Sequence, residues 1–287
     1  MKKLLKCTSL GLHHYVTENK SEYIRVGLEF LKETGFDAAD FNLQALLPAD
    51  GVWQPAVEQT LKDSTELEIP IQVCHLPLYN QKVATDPEYA ENFHKRMLYS
   101  IDAAKALGVV HAVLHPGSTT VTVRSYDRQS QYDASMAHLA PFAEYAAKVG
   151  VDLSLENMPP LPGIRQSCRY CSNAEDLCEL ADNLGMSICW DFGHANIAGF
   201  KQSDALAYIG NRLKVVHIHD NRGIEDAHCA PFMGNVDWTD AMHGLALAGY
   251  EGPLNYEVSA GRVPPELRKE FAVYLAKAAD ILMEYIV

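Results

Sequence analysis

The amino-acid sequence predicts a single (β/α)8 barrel over residues 1–287, and three observations carry that prediction. Short strand-like runs alternate with longer helical patterns along the chain, the order that gives a parallel sheet. There are eight such runs, so 287 residues give about 36 per unit, the size of one strand plus helix. The turn after the first strand reads Gly11-Leu12-His13-His14-Tyr15. It lacks G-x-G-x-x-G, the main signature of an open doubly wound sheet.

The strands are expected at Leu4–Leu10, Ala38–Leu43, Ile71–Leu76, Val109–His115, Val151–Glu156, Ser187–Asp191, Lys214–His219 and Pro253–Val258. The first helix, Glu22–Thr34, has Tyr23, Val26, Phe30 and Leu31 on one stripe. Tyr89–Leu107 carries Phe93, Met97, Ile101, Ala104 and Leu107 in the same spacing. Ala134–Val149 contains Pro141, which predicts a kink or a second start. Ala174–Leu184, Lys201–Ile209, Trp238–Ala248 and Pro265–Tyr285 complete the set. Helix stops are read at Gly35, Gly108, Gly150, Gly185, Gly210 and Gly249.

Composition narrows the function. The chain is 48% hydrophobic and 21% charged, ordinary for a globular protein. Lys+Arg total 24 against 37 Asp+Glu, a net charge of −13, which argues against nucleic acid or an anionic membrane as the partner. Seven cysteines are too sparse for a disulfide scaffold. The basic start Met1-Lys2-Lys3-Leu4-Leu5-Lys6 is not followed by a long apolar run, and no stretch is long enough to span a bilayer. A cytoplasmic protein acting on a small molecule is expected, with room for a homo-oligomer.

Polar residues at the strand ends are the strongest signal. They are His75, His115, Glu156, Asp191, His217 and Glu257, spaced by 40, 41, 35, 26 and 40 residues. Catalytic groups of such barrels sit at these C-terminal strand ends. Any one alone reads as a hydrogen-bonded strand-end residue; six at unit spacing read as a site. Alternation along a strand puts Glu156 with Ser154, His217 with Val215 and His219, Asp191 with Cys189, and Glu257 with Asn255. All six should converge on the barrel axis. Converging carboxylates repel, and a divalent cation removes that conflict.

The loops enlarge the set. His194 follows Asp191 by three residues, and Asp226-Ala227-His228 follows the seventh strand. Nine residues could then hold metal in three groups: His75, His115 and Glu156; Glu156 or Glu257 with Asp191 and His217; and His194, Asp226 and His228. Mixed imidazole and carboxylate donors suit zinc or manganese, with magnesium or cobalt as alternatives, and one to three ions.

The strings His115-Pro116-Gly117-Ser118, Leu155-Glu156-Asn157, Asp191-Phe192-Gly193-His194-Ala195, His217-Ile218-His219-Asp220, Asp226-Ala227-His228, Gly234, Asp237-Trp238 and Tyr256-Glu257 together resemble the xylose-isomerase-like barrel superfamily. The resemblance runs from about residue 71 to 258. It implies two functions. The keto-sugar epimerase pattern makes Glu156, Asp191, His217 and Glu257 the ligands of one metal. It takes His217 rather than His219, because His217 with Asp220 fits His-x-x-Asp. Glu156 and Glu257 are then the acid–base pair of an isomerase or epimerase acting on a sugar or sugar phosphate through an enediolate. His194 holds a substrate oxygen, and His75, His115 and Arg222 are further substrate contacts. A dehydratase of the inosose type shares this pattern. The endonuclease IV pattern instead uses all nine residues for three zinc ions that activate water against a phosphodiester. The loop Leu46-Leu47-Pro48-Ala49-Asp50-Gly51-Val52-Trp53 offers no cations for a nucleic-acid backbone. Pro231-Phe232-Met233-Gly234 is closer to the isomerase branch.

Other features carry less. Asp191-Phe192-Gly193 spells a kinase motif without its companions. Cys168-x-x-Cys171 has no second pair, so idle thiols are expected. Arg165, Arg169 and Arg222 lie on catalytic-end loops and could face a phosphate or carboxylate. His13, His14, Tyr15 and Trp53 could wall a sugar ring, or simply pack.

Overall fold

The computed structural model describes residues 3–9, 20–47, 51–119, 121–160 and 167–286. Eight parallel strands close a barrel: β1 Lys6–Thr8, β2 Ala38–Asn42, β3 Ile71–His75, β4 His111–Leu114, β5 Asp152–Glu156, β6 Ser187–Asp191, β7 Leu213–Ile218 and β8 Leu254–Tyr256. They neighbour one another in sequence order, and β1 pairs with β8 to close the ring. Each falls within or against its expected run. His115 and Glu257 lie one residue beyond their strands.

The main helices are α1 Lys20–Thr34, α2 Gln54–Leu67, α3 Pro87–Ala106, α4 Arg128–Val149, α5 Ala174–Leu184, α6 Gln202–Ile209, α7 Trp238–Ala248 and α8 Arg268–Glu284. Helix α2 has no counterpart among the expected helices. Its buried face mixes Val57 with Thr60, Asp63 and Ser64, so several inward positions read as polar in the sequence. Arg25 of α1 pairs with Asp63 at 2.7 Å, beside the contacts of Val57, Leu61 and Leu67 with the core. Helix α4 shows no second start at Pro141. It runs unbroken through that residue and starts at Arg128, where Asp127 caps Ser130 N. Pro141 faces solvent, so its missing N–H leaves no buried carbonyl stranded. The glycine stops Gly150 and Gly185 take left-handed φ values of 79° and 65° at the ends of α4 and α5.

Two layers of apolar packing hold the barrel. A large cluster fills the space between strands and helices. A small one, Val73, Val113, Cys189 and Val215, plugs the barrel interior. Four of the strand-end residues sit two positions further along the same strand faces: His75, His115, Asp191 and His217. The plug is therefore the floor of the site. Among the described residues no helix is long and apolar enough to cross a membrane.

Candidate metal centre

Strand register brings the strand-end residues together. Asp191 lies beside His217, and His217 beside Asn255, two residues before Glu257. His217 Nδ1 lies 3.0 Å from Glu156 Oε1 and 3.2 Å from Glu257 Oε2. Asp191 Oδ2 is 3.9 Å from the same nitrogen. These four donors form one group that could hold a cation. The other oxygen of Glu156 faces His75 Nε2 and His115 Nε2, each at 3.3 Å, and this trio forms a second group. The third group contains His194, Asp226 and His228, with both Nε2 atoms 3.2 Å from Asp226 Oδ2. All nine expected ligands thus converge.

The third group has a fourth member that the sequence pattern set aside. His219 lies beside Asp226 with Nε2 3.6 Å from Oδ1. Two residues apart on one strand face, His217 and His219 serve different groups. The signal was its parity with His217.

Hydrogen bonds set the tautomers. A carbonyl only accepts, so a ring nitrogen facing one must carry the proton. His75 Nδ1 faces Leu76 O at 2.8 Å, His194 Nδ1 faces Asn157 O at 2.8 Å, and His228 Nδ1 faces Glu257 O at 2.6 Å. Each Nε2 is left for a cation or a second proton, and each points at a carboxylate. Outer contacts of this kind orient metal-binding imidazoles.

The electrostatics are those of donors competing for positive charge. Burial opposes charge on His194 and His228, yet the neighbouring carboxylates raise both to about 10. His217 is raised as well, against its burial, with Glu156 and Glu257 among the causes. Burial would lift Glu156, but His217, His115 and His75 hold it well below the carboxylate range. Glu257 is likewise held low against its burial, chiefly by His217. Asp226 is held low by His194 and His228, again against burial. For His115 burial prevails and lowers it.

The residues fit divalent metal. Asp191 Oδ2, Asp226 Oδ1 and both nitrogens of His219 are buried without a hydrogen-bond partner. Such atoms cost about 1–3 kcal/mol each unless something pairs them. A cation would pair several at once, and the mixed donors suit zinc or manganese.

Loop residues complete the mouth. Asp191 Oδ1 caps the short helix Phe192–Ala198 by accepting from His194 N at 2.6 Å, which leaves Oδ2 for the centre. Asp220 is fully buried and accepts four N–H groups, from Asn221, Val236, Phe232 and Trp238 Nε1. It thereby pins the loop that carries Asp226 and His228, the physical basis of the string linking Asp220, Gly234 and Trp238. Asp40 was missed. Its carboxylate is buried on β2, accepts from Asn255 Nδ2 at 2.9 Å, and lines a 330 Å³ cavity with His75, His228 and Glu257. A carboxylate in mid-strand was its signal.

Arg222 is not in any of the three groups. It is exposed and, with the half-buried Arg169, lines a 580 Å³ cavity. Trp53 packs half-buried against the outer core. Cys168 and Cys171 are free thiols, and burial raises Cys171. His13, His14, Tyr15, Arg165 and residues 48–50 lie outside the described residues.

The comparisons agree with this architecture. An uncharacterized protein of Methanocaldococcus jannaschii, MJ1311, is 29% identical over 203 residues, 69% of this chain and 66% of that protein. An uncharacterized protein of Sinorhizobium fredii, y4fM, is 32% identical over 171 residues, 56% of this chain and 51% of its own length. The chain therefore spans between half and two thirds of those two relatives. Solved structures share the fold over nearly the whole chain. A D-tagatose 3-epimerase-like protein has a TM-score of 0.73 at 21% identity, covering 99% of this chain and 100% of its own. A D-allulose 3-epimerase from Methylomonas sp. has a TM-score of 0.74 at 19% identity, covering 99% of each chain. The family model described as xylose isomerase-like TIM barrel matches residues 28–278. With that match, the closed barrel and the polar mouth in place, the chain belongs to the xylose isomerase-like TIM barrel family.

Proposed function

We propose that the protein is a divalent-metal-dependent isomerase or epimerase of a small polyhydroxylated substrate, a sugar or sugar phosphate. One observation carries this reading: Glu156 and Glu257, from different strands, face the same nitrogen of His217 inside a four-donor group. The structural relatives, 3-epimerases of D-allulose and L-ribulose among them, support it.

Glu156, Asp191, His217 and Glu257 would hold the metal. A divalent cation there polarises a carbonyl with its neighbouring hydroxyl and so acidifies the adjoining C–H. One glutamate takes that proton. The other returns a proton to the same carbon in an epimerase, or to its neighbour in an isomerase. Glu156 is fixed by three imidazoles and nearly inaccessible, whereas Glu257 is about one-third exposed at the lip. Arg222, exposed on the 580 Å³ cavity, would meet an anionic or hydroxylated part of the substrate.

The test is exchange of one substrate C–H with deuterated water, across a panel of ketoses and their phosphates. Exchange should fall by at least about 100-fold in Glu156→Gln and in Glu257→Gln. Full activity in both variants would defeat the mechanism.

A second reading has its own observation. His75 with His115, and His194 with Asp226 and His228, flank the first group, so nine donors suit a three-metal phosphodiesterase. It requires nicking of an abasic-site duplex by the zinc-loaded protein. Inactivity with zinc and manganese would remove it.

A further inference from the structure

We propose that His219 is the fourth ligand of a closed cation site formed with His194, Asp226 and His228, and that this cation is structural. The proposal shares with the functional reading only the premise that the barrel mouth binds divalent metal.

The argument begins with the unpaired atoms. His219 is fully buried, and neither ring nitrogen has a hydrogen-bond partner. Its Nε2 lies 3.0 Å from Asp191 Oδ2, yet that carboxylate oxygen is also unpaired. The separation is short enough for a hydrogen bond, but the geometry is not that of one. The contact with Asp191, a member of the first group, therefore leaves His219 Nε2 unsatisfied. Asp226 Oδ1, 3.6 Å from the same nitrogen, is the fourth unpaired atom here.

The ring is also held in place. It stacks on His228, with centroids 4.1 Å apart and planes at 18°. Its opposite boundary is Gly193, where even a Cβ would lie 1.9 Å from His219 Cε1. The backbone has therefore been brought up against this imidazole, a close approach that only glycine permits.

His194, His219 and His228 all turn Nε2 toward the Asp226 carboxylate. Three imidazoles and one carboxylate make four donors, the number of a closed zinc site. A catalytic site keeps a position open for water or substrate, whereas a cation held by these four donors would have its tetrahedral set filled by protein. His194 then contacts metal rather than a substrate oxygen. The cation would tie the loop carrying Asp226 and His228 to β7 and to the turn after β6. The reacting group of Glu156, Asp191, His217 and Glu257 would remain the one open to substrate.

The rival explanation makes His219 only a positioning residue for Asp191. Zinc release from the zinc-loaded full chain to a chromogenic chelator separates the two. The inference expects one slow-released zinc per chain, lost in His219→Asn and in Asp226→Asn but kept in Glu257→Gln. The loss in His219→Asn should exceed the roughly 10–100-fold weakening caused by removing an outer supporting residue. If His219→Asn keeps the slow zinc while Asp226→Asn loses it, the inference is overturned. Should His219→Asn fail to fold, anomalous diffraction from zinc-loaded wild-type crystals decides. A zinc ion about 2.1 Å from His219 Nε2 upholds the site; water as the fourth ligand with His219 withdrawn overturns it. Because Glu257 lies outside this group, loss of exchange activity in Glu257→Gln with retained slow zinc tests the functional reading separately.

Discussion

Replacing Gly193 with alanine sets two effects of opposite sign against each other. Gly193 lies in the helix Phe192–Ala198, where alanine is normally favoured by up to about 1 kcal/mol. Against this, the new Cβ would sit 1.9, 2.3 and 2.6 Å from three atoms of the His219 ring. Ordinary contact begins at 3.4 Å, so the ring must retreat by 3.4 − 1.9 = 1.5 Å. It has nowhere to go, because His228 stacks on it at 4.1 Å and His194 stands edge-on at 5.7 Å. Overpacking of this kind costs about 1–3 kcal/mol, and the rigid ring places it at the upper end. The net expectation is a loss of about 2 kcal/mol. At about 2.1 cal/mol/K per residue, the unfolding entropy is about 0.6 kcal/mol/K, so Tm falls by about 3 °C. Thermal melting of the zinc-loaded protein measures the shift, and removing the ring in the double variant Gly193→Ala/His219→Ala should relieve the clash. A Gly193→Ala protein as stable as the parent, or more so, would refute the close-packing argument.

Other perturbations test neighbouring parts of the structure. Asp220→Asn leaves one acceptor oxygen for four N–H donors; losing two bonds to a buried carboxylate should cost about 3 kcal/mol or more in denaturant unfolding. Unchanged stability would mean that the loop is not held there. His138, packed against Tyr79, Phe93 and Phe142, is lowered by burial from 6.5 to about 4. A lowered histidine binds its proton more weakly when folded, so its contribution is intact above pH 6.5. About 3 kcal/mol should be lost as pH falls towards 4, a slope that His138→Gln should flatten and an unaltered profile would contradict. His194 and His228, raised to about 10, are protonated at pH 8 without metal. Zinc binding at their Nε2 atoms should therefore release about two protons, measured by calorimetry in buffers of different ionisation heat; no release would contradict that ligation.

The barrel was legible because strand alternation and glycine stops repeat with the unit length, and each unit contributes one strand. The site was legible for a related reason: strand ends recur at that period, so His75, His115, Glu156, Asp191, His217 and Glu257 could be read as one ring. Features that follow three-dimensional packing rather than period were not. Helix α2 buries Thr60, Asp63 and Ser64, and its stabilising partner Arg25 is 38 residues away. Asp40 looks like any strand polar residue until Asn255, 215 positions on, donates to it. His219 was passed over because the His-x-x-Asp spacing selects one histidine. Two adjacent inward positions can instead feed two separate groups.

The contacts behind the ligands explain why so many charged side chains can be held in one place. Asn157, one residue beyond Glu156, donates from Nδ2 to Asp191 O at 3.0 Å and accepts Asp191 N at 2.6 Å. Its own carbonyl accepts His194 Nδ1. Asn221 donates to Gly193 O at 2.8 Å, clasping the turn after β6 to the loop after β7. These amides are fully buried, and they bond backbone and, for Asn221, the Asn196 amide rather than the ligand carboxylates. They fix where the strand ends stand while leaving Asp191 Oδ2, Glu156 and the Nε2 atoms free for positive charge. Donors held rigidly before binding lose little conformational freedom when a cation arrives, so more of the coordination energy appears as affinity. The asparagines that follow Glu156 and Asp220 therefore belong to the centre as much as its ligands do, although neither touches a metal position.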